Sequence, residues 1–555
     1  MKPLKALALL LVLSAPFWDL GHPLWEVDDA RYAEVPREMH ESGDWLIPTL
    51  NQMTYIEKPP LIYWLGAASY RLFGVSEAAA RLPLALEAAA TLAAVFWLAS
   101  WLYTAQTGAA AVLVLGSSLL FMGLSHLITP DMAVCAALSW AIALALRALH
   151  RPEDADWAAP GAWLAMGAAF LAKGLIGLVL PAAWLASVFV LFPALRRPAL
   201  RLLRDRTAFV VAAALGAWLW RMEAAEPGFL RVFILEQHFQ RFLDTGKYNR
   251  PGGWWFFAAT DAWGFLPWAP AALAGLILPL VGWKKADPRD LQLALWPAVV
   301  ILFFSTSSSK LVTYLLPALP LQALLTARVI KEGRLPRRAA QAALGLGAVL
   351  LLAAPAVYLI LPEKLPGLSQ AAASAAAWGL AALGTATVLA SCGERAMPYA
   401  ALAALAALGC GLAGARRAEA LVSARPVSAE LNARLALPSA EPVRLMAYDR
   451  YLQGVAFYTR RPVDLVNWVG ELHYAKRFPK FSARFGDDNQ TRLWPNDGER
   501  VLAVLPKSQL EWVTRTRGGP ATVKDAAAVG NYVVLEFVRD RPLPRPSAGG
   551  PERAP

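Results

Sequence analysis

Cysteine and histidine are scarce in this 555-residue chain, which has three of the first and six of the second. Cys135, Cys392 and Cys410 lie in or beside apolar runs with no paired spacing, which excludes a disulfide framework and a zinc knuckle. Charged residues make up only 17% of the chain, against 57% hydrophobic. So small a charged share excludes an ordinary soluble domain. What the chain has instead is Ala and Leu in runs of about 20 residues, the length a helix needs to cross a bilayer. These runs fall at roughly 4–20, 82–103, 108–127, 131–149, 157–172, 174–195, 207–224, 258–282, 291–306, 310–328, 339–361, 370–391 and 396–415. They predict a polytopic α-helical membrane protein with about 13 transmembrane helices. The shorter apolar stretch 61–73 predicts a helix lying in the membrane interface.

The net charge of +12 would suggest a nucleic-acid partner in a soluble chain. Here the basic residues gather between spans, so no nucleic acid is implied. Arg147 and Arg151 mark one loop, and Arg196, Arg197, Arg201, Arg204 and Arg206 fill a second. Lys284, Lys285 and Arg289 fill a third, and Arg328, Lys331, Arg334, Arg337 and Arg338 a fourth. Each follows an even-numbered span, and Lys2 and Lys5 fall on the same side. The positive-inside rule makes that side cytoplasmic, and an odd number of spans then places the C-terminal tail outside. The opening "MKPLKALALLLVLSAPFW" reads as an uncleaved anchor, with a cleaved signal peptide as the alternative; the loop after it is exported either way.

Composition shifts near Arg416. The transmembrane part, 1–417, includes a first exported loop at 21–81. After it, β-rich runs such as "PVRLMAYDRY", "ERVLAVLP" and "NYVVLEFVRD" predict a small exported α/β domain over 418–540. The Pro/Gly-rich stretch 541–555 predicts a disordered tail. No internal repeat is visible.

The polar residues that the cytoplasmic loops leave over all fall on the outer side. Asp28 to Lys58 lie in the first exported loop, and Asp131 stands at the outer end of the fourth span. Lys173 and Gly174 sit in the hairpin between spans five and six. "FILEQHFQRFLDTGKYNR" precedes span eight, and "STSSSKLVTY" joins spans nine and ten. Ionisable groups at membrane depth are costly and face cavities or water. Their gathering on one side points to a site at the outer membrane surface.

In the first loop, Asp28 or Asp29 can cap a helix starting near Ala30, and Asp28, Arg31 and Tyr32 then share one face. Pro36 should bend that helix and Gly43 end it. Pro59 and Pro60 start the next, which puts Glu57 and Lys58 just before a helix N-terminus, a position that favours anions. His238 and Arg241 share a face at i, i+3. Each has a structural alternative: a capping Asp28 with solvated charges beside it, an amphipathic interfacial helix around His238, a snorkelling Lys173, a capping Asp131, and an interfacial Tyr314.

"DDARYAEVPREMHESGDWLIPTLNQMTYIEKPPLIYW", "LAKGLIGLVLP", "LEQHFQRF", "GFLPWAP" and "SKLVTYLLPALP" occur in that order. Together they resemble segments of bacterial lipid-carrier-dependent glycosyltransferases of the GT-C fold, related to the protein O-mannosyltransferases. The resemblance is to the aminoarabinose transferases that modify lipid A. "GVAFYTRRPVDLV" and "GELHYAKRF" resemble the exported domain of that family. One departure is Asp29, where the family usually carries Glu. The resemblance implies transfer of a sugar, 4-amino-4-deoxy-L-arabinose for the named relatives, from a polyprenyl-phosphate carrier to lipid A or another periplasmic acceptor. It also implies a bacterial inner-membrane location with site and C-terminal domain periplasmic. It places catalytic acids at Asp28 and Asp131 and carrier-phosphate contacts at Lys58 and Arg241. Cavity residues fall on Arg31, Tyr32, Tyr55, Glu57, Lys173, His238 and Tyr314. No cofactor is expected, with a divalent metal as the alternative, although Glu57 and His238 are too few for a metal site.

A flippase or transporter is the rival class. It should carry polar groups at mid-membrane and on the inner side, whereas the site-like charges here gather outside. A structural scaffold leaves the dense first loop unexplained.

Overall fold

The computed structural model describes residues 2–240, 242, 252–365, 367–438, 442–487, 499–511 and 521–539. The chain divides into two compact units. The larger takes in Met1–His22, Val35–Pro48 and Ile56–Arg417. Among the described residues, seven of its helices are long and apolar enough to cross a membrane: Glu77–Leu102, Pro130–His150, Arg206–Ala225, Val312–Lys331, Arg337–Lys364, Gln370–Ala390 and Glu394–Arg417. An eighth arises if Ile176–Leu191 and Pro193–Leu203, bent by 119°, count as one span. The chain is a multi-pass helical membrane protein.

Every apolar run read from the sequence falls on helix, but several are interrupted. The run 108–127 divides into Ala105–Gly116 and Leu119–Leu124. Between them the Ser118 hydroxyl donates back to the Leu115 carbonyl at 2.7 Å, a bond that competes with the helix ladder. The run 258–282 divides into Phe256–Gly264 and Ala269–Val281 around Pro267, which has no N–H to give. The run 310–328 starts as a 3₁₀ helix, Val312–Ala318. The stretch 61–73 is the helix Leu61–Phe73. Helix starts carry side-chain caps at Ser76, Thr104, Asp205 and Ser369, each meeting an amide hydrogen that has no partner within the helix. Helices Arg337–Lys364 and Gln370–Ala390 meet through Gly347 and Gly384. A Cβ on Gly347 would lie 2.9 Å from the Gly384 carbonyl oxygen, the close approach that small residues permit between membrane helices.

One basic residue counted as a loop charge is buried. Arg328 belongs to helix Leu319–Lys331, pairs with Asp290 and lies 4.0 Å from the Tyr103 ring centroid. Asp290 also accepts the Tyr103 hydroxyl at 2.6 Å.

The smaller unit comprises Pro23–Glu34, Thr49–Tyr55 and the chain from Ala418 onward. The hairpin β1 (Thr49–Leu50) and β2 (Met53–Thr54) turns at Asn51 and Gln52, with φ of 56° and 59°, the paired left-handed geometry of a two-residue hairpin loop. Its main sheet is built from β3 (Val443–Tyr448), β4 (Val463–Val466), β5 (Phe485–Gly486), β6 (Arg500–Pro506), β7 (Ala521–Val529) and β8 (Tyr532–Arg539). The strand order is β5-β4-β3-β6-β8-β7. The first four strands run parallel, and β8 pairs antiparallel with both β6 and β7. Met446, Val501, Ala503, Leu505, Val533, Leu535 and Phe537 form a buried cluster; each large apolar side chain buried there contributes about 1.5–3 kcal/mol. The short β-rich runs seen in the sequence are thus a mixed α/β sheet domain. The stretch 541–555 lies outside the described residues.

Candidate active site

The first-loop helix spans Asp28–Ser42. It begins at Asp28, two residues before Ala30. It continues through Pro36 and ends at Gly43, whose φ of 74° suits a residue without a Cβ. Residues Asp28–Glu34 of this helix belong to the smaller unit and Val35–Ser42 to the larger.

In the smaller unit the two adjacent acids have separate surroundings. Asp29 is fully buried, and its carboxylate accepts the Trp25 amide hydrogen at 3.0 Å. It faces back toward the preceding chain, a structural role. Asp28 is half exposed and pairs with Arg31 one turn on. Arg31 is itself buried and forms a second ion pair, with Glu471 at 2.5 Å. Its guanidinium lies 5.2 Å from the Tyr32 ring centroid. Burial alone would lower the Arg31 pKa, but Tyr55, Tyr32, Glu471 and Asp28 around it hold it well above its ordinary value. Tyr32 and Tyr55 are both buried. Asp28, Arg31 and Tyr32 are therefore grouped as their spacing suggested, and Tyr55 lies close enough to act on Arg31.

Glu471 was missed from the sequence. It stands in "GELHYAKRF", 440 positions from Arg31, and no local periodicity links the two. A second missed carboxylate, Glu26, accepts the backbone N–H groups of Gln453 and Gly454, both at 2.8 Å. Burial pushes its pKa up to about 7, against the opposing pull of those two N–H donors and of Arg450. The Asn51 side chain donates to the Val463 carbonyl at 2.7 Å and accepts the Val463 N–H at 2.8 Å, mimicking a strand partner.

In the larger unit Asp131 and Lys173 form a buried ion pair. Asp131 lies in the first turn of helix Pro130–His150, after Thr129, so it does not cap that helix. Lys173 is the last residue of helix Ala155–Lys173. Instead of snorkelling, its ammonium group sits 4.5 Å from the Tyr314 ring centroid, where ring and carboxylate both favour the cation. Tyr314 lies in the helix Val312–Ala318 and packs against Phe304 at 4.9 Å.

His238 stands in a π-helix, Arg231–Gln240. Its Nδ1 lies 2.5 Å from the Phe233 carbonyl oxygen, five residues back, and its Nε2 accepts the Leu175 amide hydrogen at 3.2 Å. Those partners fix the neutral tautomer with the proton on Nδ1. Gly174, with φ of 83°, passes so close that a Cβ would lie 2.1 Å from His238 Nε2. Lys173, Asp131, Tyr314 and His238 thus meet at the hairpin around Gly174. Glu57 and Lys58 precede the helix Leu61–Phe73 as read, with their charged atoms 4.0 Å apart and both largely buried. Arg241 lies outside the described residues. Among the described residues no three His, Cys, Asp or Glu side chains are grouped to hold a metal ion.

Residues 57–220 match the family description for dolichyl-phosphate-mannose-protein mannosyltransferases. The undecaprenyl phosphate-α-4-amino-4-deoxy-L-arabinose arabinosyl transferase of Pectobacterium carotovorum is 34% identical over 354 residues, 61% of this chain and 62% of that protein. The enzyme of the same name from Aeromonas hydrophila is 32% identical over 56% of this chain and 58% of that protein. The chain therefore spans less than two thirds of the length of these relatives. The crystal structure of ArnT from Cupriavidus metallidurans bound to undecaprenyl phosphate superposes with a TM-score of 0.80 at 26% identity. That match covers 96% of this chain and 97% of the other. The chain is thus similar in sequence and fold to the ArnT-like GT-C glycosyltransferases, and over residues 57–220 to the protein mannosyltransferases.

Proposed function

We propose that the chain transfers a sugar from a polyprenyl-phosphate carrier to an acceptor on the periplasmic side of a bacterial inner membrane. The sugar is 4-amino-4-deoxy-L-arabinose and the acceptor a lipid A phosphate. The observation that carries this is the end-to-end likeness to a protein crystallised with undecaprenyl phosphate; the names of the relatives support the sugar. All thirteen apolar helical segments, broken ones included, cross the membrane.

An acceptor oxygen attacks the anomeric carbon while the carbon–oxygen bond to the carrier phosphate breaks, and the bonding pair leaves with the phosphate. A single displacement of this kind inverts the anomeric centre. Lys58 and Arg241 meet the charge growing on the leaving phosphate, with no cofactor called for. Asp28, half exposed beside Arg31, faces the acceptor. An anionic lipid A phosphate needs only positioning, whereas a hydroxyl acceptor would give its proton to Asp28, work that contributes about 100- to 10,000-fold. In the larger unit the buried Asp131–Lys173 pair holds the hairpin at Gly174, with His238 and Tyr314 beside it; in the smaller unit Tyr32 and Tyr55 are buried around Arg31.

Mass spectrometry of lipid A from cells with and without the protein tests the reading. The expected result is an added aminoarabinose only when the protein is present. A hexose on an exported protein would favour a second reading, suggested by the mannosyltransferase family match over 57–220. Proteoliposomes that move lipid across the bilayer without transferring sugar would instead make the protein a flippase.

A further inference from the structure

The basic loop between helices Ile176–Leu191 and Arg206–Ala225 holds a feature that sugar transfer does not use. After the 119° bend the chain forms the short helix Arg196–Leu203. Ala199 and Leu202 are its buried side, and the Trp163 indole donates to the Leu202 carbonyl at 2.9 Å. Beside it opens a cavity of about 700 Å³ lined by Arg197, Arg201, Arg204, Arg206, Leu200 and Thr207, among others. Four arginines therefore border one cavity. Arg201 has a carboxylate partner, Asp156 at 2.8 Å, and both of those side chains are exposed. Among the described residues Arg197, Arg204 and Arg206 have none. The cavity's own acid, Asp205, is engaged as a helix cap, accepting the Thr207 amide hydrogen at 2.9 Å.

The surface next to the cavity is apolar. Leu200, Leu203, Phe209 and Val210 are exposed, and of helix Arg206–Ala225 Val211, Leu215 and Met222 are the buried residues. A charged cradle thus lies at the foot of an uncovered apolar helix in a chain that spans a bilayer. A ligand that satisfies both needs an anionic head and a hydrocarbon tail. A free anion would leave the apolar face unused, and a zwitterionic lipid would bring its own cation to the arginines.

We propose that this cradle binds the phosphate headgroup of an anionic diacyl phospholipid, with the acyl chains along helix Arg206–Ala225. Given the orientation proposed above, the lipid belongs to the cytoplasmic leaflet. Surface arginines each add to attraction for anionic lipid, and a planar guanidinium group can donate two parallel N–H bonds to one phosphate.

The test is native mass spectrometry of the full chain in detergent, titrated with dioleoyl phosphatidylglycerol or dioleoyl phosphatidylcholine. Wild-type protein should retain at least one phosphatidylglycerol more than phosphatidylcholine. The R197Q/R204Q variant removes two arginines without a carboxylate partner and should bind phosphatidylglycerol at least ~10-fold more weakly, with an unchanged melting temperature. R197K/R204K, which keeps the charge, should retain most of the binding. R337Q/R338Q, on a different basic loop, should bind as wild type does. Equal retention by wild type and R197Q/R204Q overturns the proposal. So does equal retention of the two lipids, or displacement of phosphatidylglycerol by millimolar inorganic phosphate. Binding in detergent depends neither on leaflet nor on sugar transfer, so a failed orientation or activity and a failed site are told apart.

Discussion

Lys173, the last residue of one helix, pairs with Asp131, in the first turn of another. Taking away one member of a buried pair strands the other charge, at a cost of about 3–5 kcal/mol. D131N and K173M should each lower thermal stability in detergent by that order, and the double variant should recover much of the loss. Additive losses in a double-mutant cycle would show that the two side chains do not depend on each other.

The neighbouring acids Asp28 and Asp29 should respond differently. D28N should reduce sugar transfer at least ~100-fold with normal expression and melting temperature. D29N alters a buried acceptor of the Trp25 amide hydrogen and should lower stability by roughly 1–3 kcal/mol, with a smaller effect on turnover of the folded fraction. Near-normal transfer by D28N would remove Asp28 from the chemistry.

Glu471 reaches Arg31 from the sheet domain, and Arg31 reaches Asp28. E471A should lower kcat by about 10- to 100-fold, the range expected when a reacting group is misplaced, with little change in KM for the carrier. E471D should restore part of that. An unchanged kcat in E471A would mean that the pair serves only the fold.

At Gly174 two physical costs coincide, the left-handed φ and the place held by His238. G174A should destabilise by at least ~2 kcal/mol. In an H238A background the worst clash disappears, and the cost of a backbone region used almost only by glycine, about 1–3 kcal/mol, should persist. The same loss in both backgrounds would show that the ring gives way freely.

Glu26 supplies a pH dependence. Its folded-state pKa stands at about 7, above the ordinary 4.5. A group raised in this way contributes stability that is complete below about pH 4.5 and is lost as pH rises through about 7. The full chain should therefore lose on the order of 1–3 kcal/mol between pH 5 and pH 8 relative to E26Q. The low end of that range reflects the partial exposure of the residue. Urea denaturation at the two pH values measures the difference; parallel curves for the two proteins would contradict it.

Apolar periodicity located the helices because a bilayer demands long uninterrupted runs. It could not show where Ser118 and Pro267 interrupt them, since those breaks depend on single side chains within an unchanged apolar background. Asp28 and Arg31 were legible as a pair because an α-helix brings i and i+3 together. The contact of His238 with Leu175, 63 positions away, had no such local signal. Asp131 and Lys173 were each legible as unusual but not as partners, and Glu471 not at all. Contacts between distant parts of a chain follow from tertiary packing, which no short-range spacing encodes.

The Asn51 side chain completes a strand-like pair with Val463, a residue 412 positions later in the chain. Synthesis proceeds at about 5–20 residues per second, so the hairpin around Asn51 leaves the ribosome well before its partner has been made. Through that interval its amide group must be satisfied by water or by a chaperone. The hairpin around Asn51 therefore completes its pairing only after a residue 412 positions later has been made, and a stop in translation before Val463 leaves it unfinished.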